Sequence, residues 1–159
     1  MRYTSRMISI RKATKADLQT IISLDTLLFK DNYQYDHDLV MNWPESKPGI
    51  KYFSSFLNKP HSICFLAEDS GRAIGYILIA PKPKDWKKYS YCEVGNIFVE
   101  ASYQSKGIGS LLMKKGTAWA KAKGYEKIYV NSYFNNKGAI SFYEKHGFSP
   151  IDVGLEMSL

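Results

Sequence analysis

Ile97-Phe98-Val99-Glu100-Ala101-Ser102-Tyr103-Gln104-Ser105-Lys106-Gly107-Ile108-Gly109-Ser110-Leu111-Leu112 is the stretch whose reading decides the fold. Three apolar, strand-prone residues run into a polar turn, and the turn runs into two glycines two apart. Beyond Gly109, Leu111, Leu112, Ala118, Trp119 and Ala122 recur at helical spacing, and Gly124 supplies a stop. A strand, a glycine-bearing loop and a helix start make an anion cradle, because the first helical N–H groups lack intrahelical partners and the helix dipole adds partial positive charge there. Glycine at 107 and 109 lets backbone amides approach a phosphate with no Cβ in the way. The P-loop pattern is excluded because no lysine follows the second glycine. The dinucleotide fingerprint is excluded because Leu112 stands where its third glycine belongs. What remains, Gln-x-x-Gly-x-Gly at the mouth of a helix, is by itself equally compatible with a tight turn.

The bulk composition narrows the class. At 159 residues the chain has the length of one domain, residues 1–159, with a single sizeable core. Its 45% apolar and 23% charged residues are ordinary for a soluble globular protein, and the apolar runs are strand-length, so no membrane-spanning helix is expected. Residues 1–7 lead into an alternating stretch rather than an apolar leader. With two cysteines, Cys64 and Cys92, both in strand-like runs, the expectation is a reduced, cytoplasmic protein whose thiols are small buried hydrophobes. His37, His61 and His146 show no metal-ligand spacing, and no metal site is expected. A formal net charge of +7 calls for a polyanionic partner, either nucleic acid or a nucleotide cofactor with several phosphates. The lysines are spread along the chain, which argues against nucleic acid. Their one aromatic-rich cluster, Pro81 to Tyr89, is short and reads as an exposed loop.

In chain order, Met7 to Arg11 alternates as a first strand. Thr14-Lys15-Ala16-Asp17 then opens a helix whose apolar face, Leu18, Ile21, Ile22, Leu28 and Phe29, is interrupted by Asp25. Residues 31–60 are the least regular part. Their aromatic and acidic residues, Tyr33, Tyr35, Asp36, Asp38, Trp43 and Glu45, suit either a binding wall or a capping layer, followed by a helix-like Tyr52-Phe53…Phe56-Leu57. Ser62 to Glu68, a turn at Asp69-Ser70-Gly71-Arg72, and Ala73 to Ala80 form a hairpin buried on both faces. Tyr91 to Val99 is the strand that feeds the glycine loop. Gly95 in its interior predicts a bulge that splays it from a neighbour, and Glu93 is a carboxylate available as a base. Lys127 to Val130 is a further strand, Asn136 caps a helix that Gly147 stops, and Leu155, Met157 and Leu159 alternate as a last strand.

Asn136-x-x-Ala139-Ile140-x-Phe142-Tyr143-Glu144-Lys145-x-Gly147-Phe148 follows Gln104-x-x-Gly107-x-Gly109 in order and on the matching elements. Together with Ile10-Arg11-Lys12-Ala13-Thr14-x-x-Asp17, the two motifs resemble the GNAT (GCN5-related N-acetyltransferase) superfamily over nearly the whole chain. Residues 31–60 and 81–89, where acceptor specificities differ in that family, lie outside the likeness. The resemblance implies an α/β (α+β) GNAT fold: a central mixed, mostly antiparallel twisted sheet of about six to seven strands, splayed at the strand carrying Glu93–Val99, with helices on both faces.

The resemblance also implies acetyl-CoA as cosubstrate and acetyl transfer to a primary amine, with a small-molecule amine, a polyamine and a protein or peptide amine all left open as acceptors. Backbone amides along Gln104, Ser105, Lys106, Gly107, Ile108, Gly109 and Ser110 would hold the diphosphate. Ile97, Phe98 and Val99 would pair with the pantetheine arm like an added strand, and Asn136 would touch that arm. Tyr143 would lie near the sulfur as proton donor, and Glu93 is assigned as base, acting through water. The family often has arginine where this chain has Gln104, and Lys106 partly replaces that charge. Tyr33, Tyr35, Asp36, Trp43 and Glu93 are the candidate acceptor wall, suited to a cationic amine. Two other readings stay open: a CoA-binding sensor that needs neither Glu93 nor Tyr143, and a basic nucleic-acid-binding module. The oligomeric state also stays open, with a homodimer among the options.

Overall fold

The computed structural model describes residues 7–159; residues 1–6, read above as lacking an apolar leader, lie outside the described residues. The elements run β1 (Ile8–Lys12), α1 (Leu18–Asn32), α2 (Lys47–Asn58), β2 (Ile63–Asp69), β3 (Arg72–Pro81), β4 (Tyr91–Val99), α3 (Ile108–Ala122), β5 (Lys127–Val130) and α4 (Lys137–Lys145). The strands form one sheet in the order β1-β2-β3-β4-β5. The first three pairings are antiparallel and β4–β5 is parallel. A parallel neighbour requires a crossover, which α3 provides.

Local chemistry explains most boundaries. Asp17 closes a capping box on Thr14, whose N–H donates to Asp17 Oδ2 at 2.7 Å. The β2–β3 hairpin turns on Ser70 and Gly71, both at positive φ (52° and 86°), as a two-residue loop between right-twisted strands requires. The irregular region holds a full twelve-residue helix. Ser46 Oγ accepts the Gly49 N–H at 3.3 Å and Pro48 sits in the first turn, so α2 begins well before the Tyr52–Leu57 segment legible from periodicity.

The sheet has apolar layers on both faces. Ile63, Phe65, Ile77, Ile79, Val94 and Val99 pack with Leu112 and Met113 of α3, and Phe142 and Tyr143 of α4 lie against that layer. Cys64, Leu66, Tyr76, Leu78 and Phe98 pack on the opposite face with Ile21, Ile22 and Leu24 of α1 and Phe53 and Phe56 of α2. Both cysteines are buried within these layers, and burial raises both thiols, Cys92 to about 11.

The expected last strand does not form, and among the described residues the sheet has five strands rather than six to seven. Residues 149–159 carry no strand, and Leu155 and Met157 are 94% and 79% exposed. Alternation fixes which face a strand would bury, but a strand exists only where its backbone finds a ladder partner, and this segment finds none among the described residues. No helix of the described residues is long and apolar enough to cross a membrane.

Leu112 is fully buried between α3 and the sheet. Leu112→Ala is expected to cost about 2–5 kcal/mol, read as a lowered urea midpoint with an unchanged denaturant slope.

Candidate active site

β4 and β5 stay paired only from Tyr91–Lys127 to Val94–Val130. Across β4, the β3 register jumps from Leu78–Asn96 to Ile79–Val94, so Gly95 is the extra residue of a bulge. Beyond it β4 continues alongside β3 alone, while the chain leaving β5 turns away towards α4. The strands therefore part at Gly95 and open a cleft of about 340 Å³, walled by Leu28 and Asn32 of α1, Gly95 to Ile97 of β4, residues 131–133, and Asn136, Ala139 and Tyr143 at α4. The side chains of Ile97, Phe98 and Val99 are committed to the two apolar layers, which leaves the backbone edge of β4 facing the gap.

The glycine loop follows directly. A turn of 3-10 helix at Ala101–Tyr103 leads to Gln104, whose Nε2 donates to the Val99 carbonyl at 2.8 Å. Ser105 (φ 58°) and Gly107 (φ 80°) both lie in the left-handed region, and Gly107 is the N-cap of α3 with no side-chain cap. Among the described residues, no acceptor takes the backbone N–H of Ser105, Lys106, Gly107, Ile108, Gly109 or Ser110. No acidic residue stands in the first turn of α3. Unengaged amides and an uncompensated helix dipole converge on one spot.

The sequence profile described as the acetyltransferase (GNAT) family matches residues 26–148. This chain belongs to that family. Among its relatives is an uncharacterized N-acetyltransferase of Methanocaldococcus jannaschii, 27% identical over 151 residues; the match covers 91% of this chain but 62% of that protein, so the chain spans less than two thirds of its length. Among solved structures, a tetramutant of a Bacillus halodurans protein superposes with a TM-score of 0.82 at 21% identity, covering 95% of this chain and 99% of that one. An aminoglycoside N-acetyltransferase in complex with CoA superposes with a TM-score of 0.76 at 16% identity, covering 100% and 99%. At these identities the structures show a shared GNAT fold.

Within the GNAT framework the glycines divide their work. A Cβ on Gly107 would meet nothing within 4 Å, so its role is conformational, whereas a Cβ on Gly109 would stand 3.3 Å from Phe142 Cε2. Gly109 therefore lets α4 pack closely on the first turn of α3, a task not visible in the motif. Ser110 Oγ and His146 Nε2, 3.0 Å apart, tie the same two elements together. Lys106 folds back, its Nζ donating to the Ser102 carbonyl at 2.6 Å. Asn136 caps α4 through Oδ1, which accepts the Ala139 N–H at 3.1 Å, and it also lines the cleft.

Tyr143 reaches the cleft from α4, its ring set edge-on against Phe142 and Phe148. Burial pushes its phenol up to about 12, so the hydroxyl is protonated at neutral pH. Glu93 is not among the side chains lining the cleft; it stands on β4 two residues before Gly95 with Oε1 bonded to Lys82 Nζ at 2.7 Å. Of the candidate acceptor wall, Asp36 and Tyr35 reach the rim through Tyr133. Asp36 Oδ2 accepts the Tyr133 hydroxyl at 3.1 Å, and the Tyr35 and Tyr133 rings stack at 5.9 Å. Trp43 instead stacks on Phe29 and packs with the α1–α2 layer, and Tyr33 lies against His37; neither lines the cleft. Among the described residues, no group of three or more His, Cys, Asp or Glu is placed to hold a metal ion.

Sequence reading passed over one buried polar cluster. Asp25 is 0% exposed, and its Oδ1 accepts the Tyr76 hydroxyl and the Asn96 amide, the latter at 2.9 Å. Its Oδ2 has no partner, and no ion pair reaches it among the described residues. Burial without a cation raises this carboxyl to about 6 against the pull of its two hydrogen bonds. The unfolded chain releases the proton near pH ~4 and the folded protein only near about 6, so this group's contribution to stability declines as pH rises between them. Asp25→Asn is therefore expected to stabilise the fold more at pH 7 than at about pH 4, checked by urea titrations of both proteins at each pH.

Proposed function

We propose that this chain moves an acetyl group from acetyl-CoA to a primary amine by direct attack within a ternary complex. The observation that carries the reading is the run of unengaged amides from Ser105 to Ser110 at the mouth of α3, set beside the opening between β4 and β5. A diphosphate would satisfy the loop amides, and an extended amide-bearing arm would pair with the backbone edge of Ile97 to Val99. The thioester then lies in the cleft next to Tyr143, with the backbone at Ile97 as the group that polarises its carbonyl.

The chemistry follows from these positions. The acceptor loses one proton from its ammonium form, and its lone pair forms the C–N bond as the C–S bond breaks. Tyr143, held protonated by burial, gives its proton to the departing thiolate, and the second proton that the nitrogen sheds as the amide forms restores the Tyr143 phenol. Glu93 takes the ammonium proton through water; its Oε1 is held by Lys82, and Oε2 has no partner among the described residues. Alignment of the two substrates in one cleft supplies much of the rate.

The cleft also bears on the acceptor. Its lining offers amides, hydroxyls and apolar carbons from Leu28 to Tyr143, and none of these side chains is charged at neutral pH. Asp36, the carboxylate of the candidate wall that bonds a cleft-lining side chain, already accepts from Tyr133. That chemistry favours a single amine on a carrier of low positive charge over a polycation.

Thiol release from acetyl-CoA across an amine panel tests the assignment, with simple alkylamines and free peptide N-termini expected to outrun spermidine. No amine-dependent release together with no CoA binding by calorimetry would sink it, and binding without turnover would leave a CoA sensor. Tyr143→Phe is expected to lower kcat about 10²-fold with the acetyl-CoA KM little changed. Gly107→Val, which forces a branched residue to positive φ, is expected to weaken CoA binding measurably by calorimetry while the fold persists.

A further inference from the structure

Among the described residues Asp25 Oδ2 is the buried side-chain polar atom left without a partner, and the carboxyl carrying it is packed inside an apolar layer. Such a group is costly to keep and does nothing there for packing that leucine or asparagine would not do. What distinguishes its position is the residue it holds. Asn96 follows the bulge glycine and lines the cleft.

An asparagine amide has a donating and an accepting end, and either can face a given neighbour. An ionised carboxylate only accepts. Asp25 therefore draws in the NH₂ end of Asn96, as the 2.9 Å bond shows, and turns the oxygen end the other way. Tyr52 holds that orientation from the far side, its hydroxyl donating to Asn96 Oδ1 at 3.4 Å. The same hydroxyl lies 2.9 Å from where a Cβ of Gly95 would stand, so this contact is made at the bulge itself. A bond of that length leaves Oδ1 with accepting capacity for a second donor.

We propose that Asp25 is a positioning residue for acyl transfer: by fixing the amide of Asn96, it presents the Asn96 oxygen to an N–H of the attacking amine. The inference rests on the transfer reaction proposed above. One amine hydrogen bonds to Asn96 Oδ1, and the nitrogen lone pair is thereby aimed at the thioester carbon rather than left free to rotate. The Tyr76 hydroxyl, donating to the same Asp25 oxygen, anchors the carboxylate from β3, so the chain of contacts runs Tyr76, Asp25, Asn96, substrate.

A double-mutant cycle tests this. Asp25→Asn is isosteric but no longer dictates which end of Asn96 faces inward. It is expected to lower kcat/KM for the amine about tenfold, with the acetyl-CoA KM within about twofold of wild type. Asn96→Leu is expected to lose at least as much. Adding Asp25→Asn to it should then change nothing further, because the carboxylate acts only through the amide. Multiplying losses, a shared rise in the acetyl-CoA KM, or an amine kcat/KM unchanged in Asp25→Asn would overturn the proposal. A measurement free of turnover stands beside the cycle: the ¹⁵N side-chain amide signal of Asn96 in CoA-saturated protein should shift on titration with butylamine, and this shift should shrink in Asp25→Asn. An unmoved Asn96 signal would refute the proposal even where no acceptor is turned over or a variant fails to fold. Absence of CoA binding by the wild type would instead count against the transfer reading itself.

Discussion

β4 is hydrogen-bonded on both sides only as far as Val94, and the rest of the structure is arranged around its release at Gly95. A strand in the interior of a sheet ordinarily has every backbone group paired, so opening one edge forgoes several ladder bonds. The opening persists because both sides of it are fixed independently. Beyond the bulge β3 keeps pairing with β4 through Gly75–Val99 and Ile77–Ile97, and the Tyr52 hydroxyl lies 2.9 Å from where a Cβ at position 95 would stand. What favours glycine there is the space taken by that hydroxyl rather than the backbone angle, since position 95 is not among those with positive φ.

The sheet then acts as a partition. On one face, α3 and α4 bring the loop amides and Tyr143 to the gap. On the other, α1 and α2 bring Asp25 and Tyr52 to the same bulge, and Asn96 is the residue through which that second face enters the cleft. Each contribution is backed by its own apolar layer, so the candidate groups reach the cleft from opposite faces of the sheet. The connection after α1 is tied in separately, through the bond from Tyr133 to Asp36.

Much of this was legible beforehand because it depends on local chemistry. Gly95 inside a strand announced a bulge, Gly107 and Gly109 announced a tight turn with exposed amides ahead of a helix, and Asn136 announced a cap; each requirement belongs to a few adjacent residues. The polar cluster was not legible, since Asp25, Tyr76 and Asn96 lie 51 and 71 positions apart and meet only through the sheet. A trace of it was present: Asp25 interrupts an otherwise apolar helical face, and a carboxylate on a buried stripe calls for a partner from elsewhere. The tail misled for the opposite reason. Leu155, Met157 and Leu159 carry the right alternation, but pairing is a property of two segments and cannot be read from one. Likewise Trp43 and Tyr33 shared composition with a binding wall but were taken up by packing against Phe29 and His37.

Gly109 and Phe142 touch where α3 begins, and Tyr143 is the next residue along α4. The close seat of α4 on α3, one residue from the phenol, thus depends on the absence of a side chain at 109. A methyl group added at the mouth of α3 would press on the edge of the Phe142 ring, which would have to give by a few tenths of an ångström in the same turn that carries Tyr143. Natural variation at 109 and 142 should accordingly be coordinated, with bulk gained at one position matched by bulk surrendered at the other.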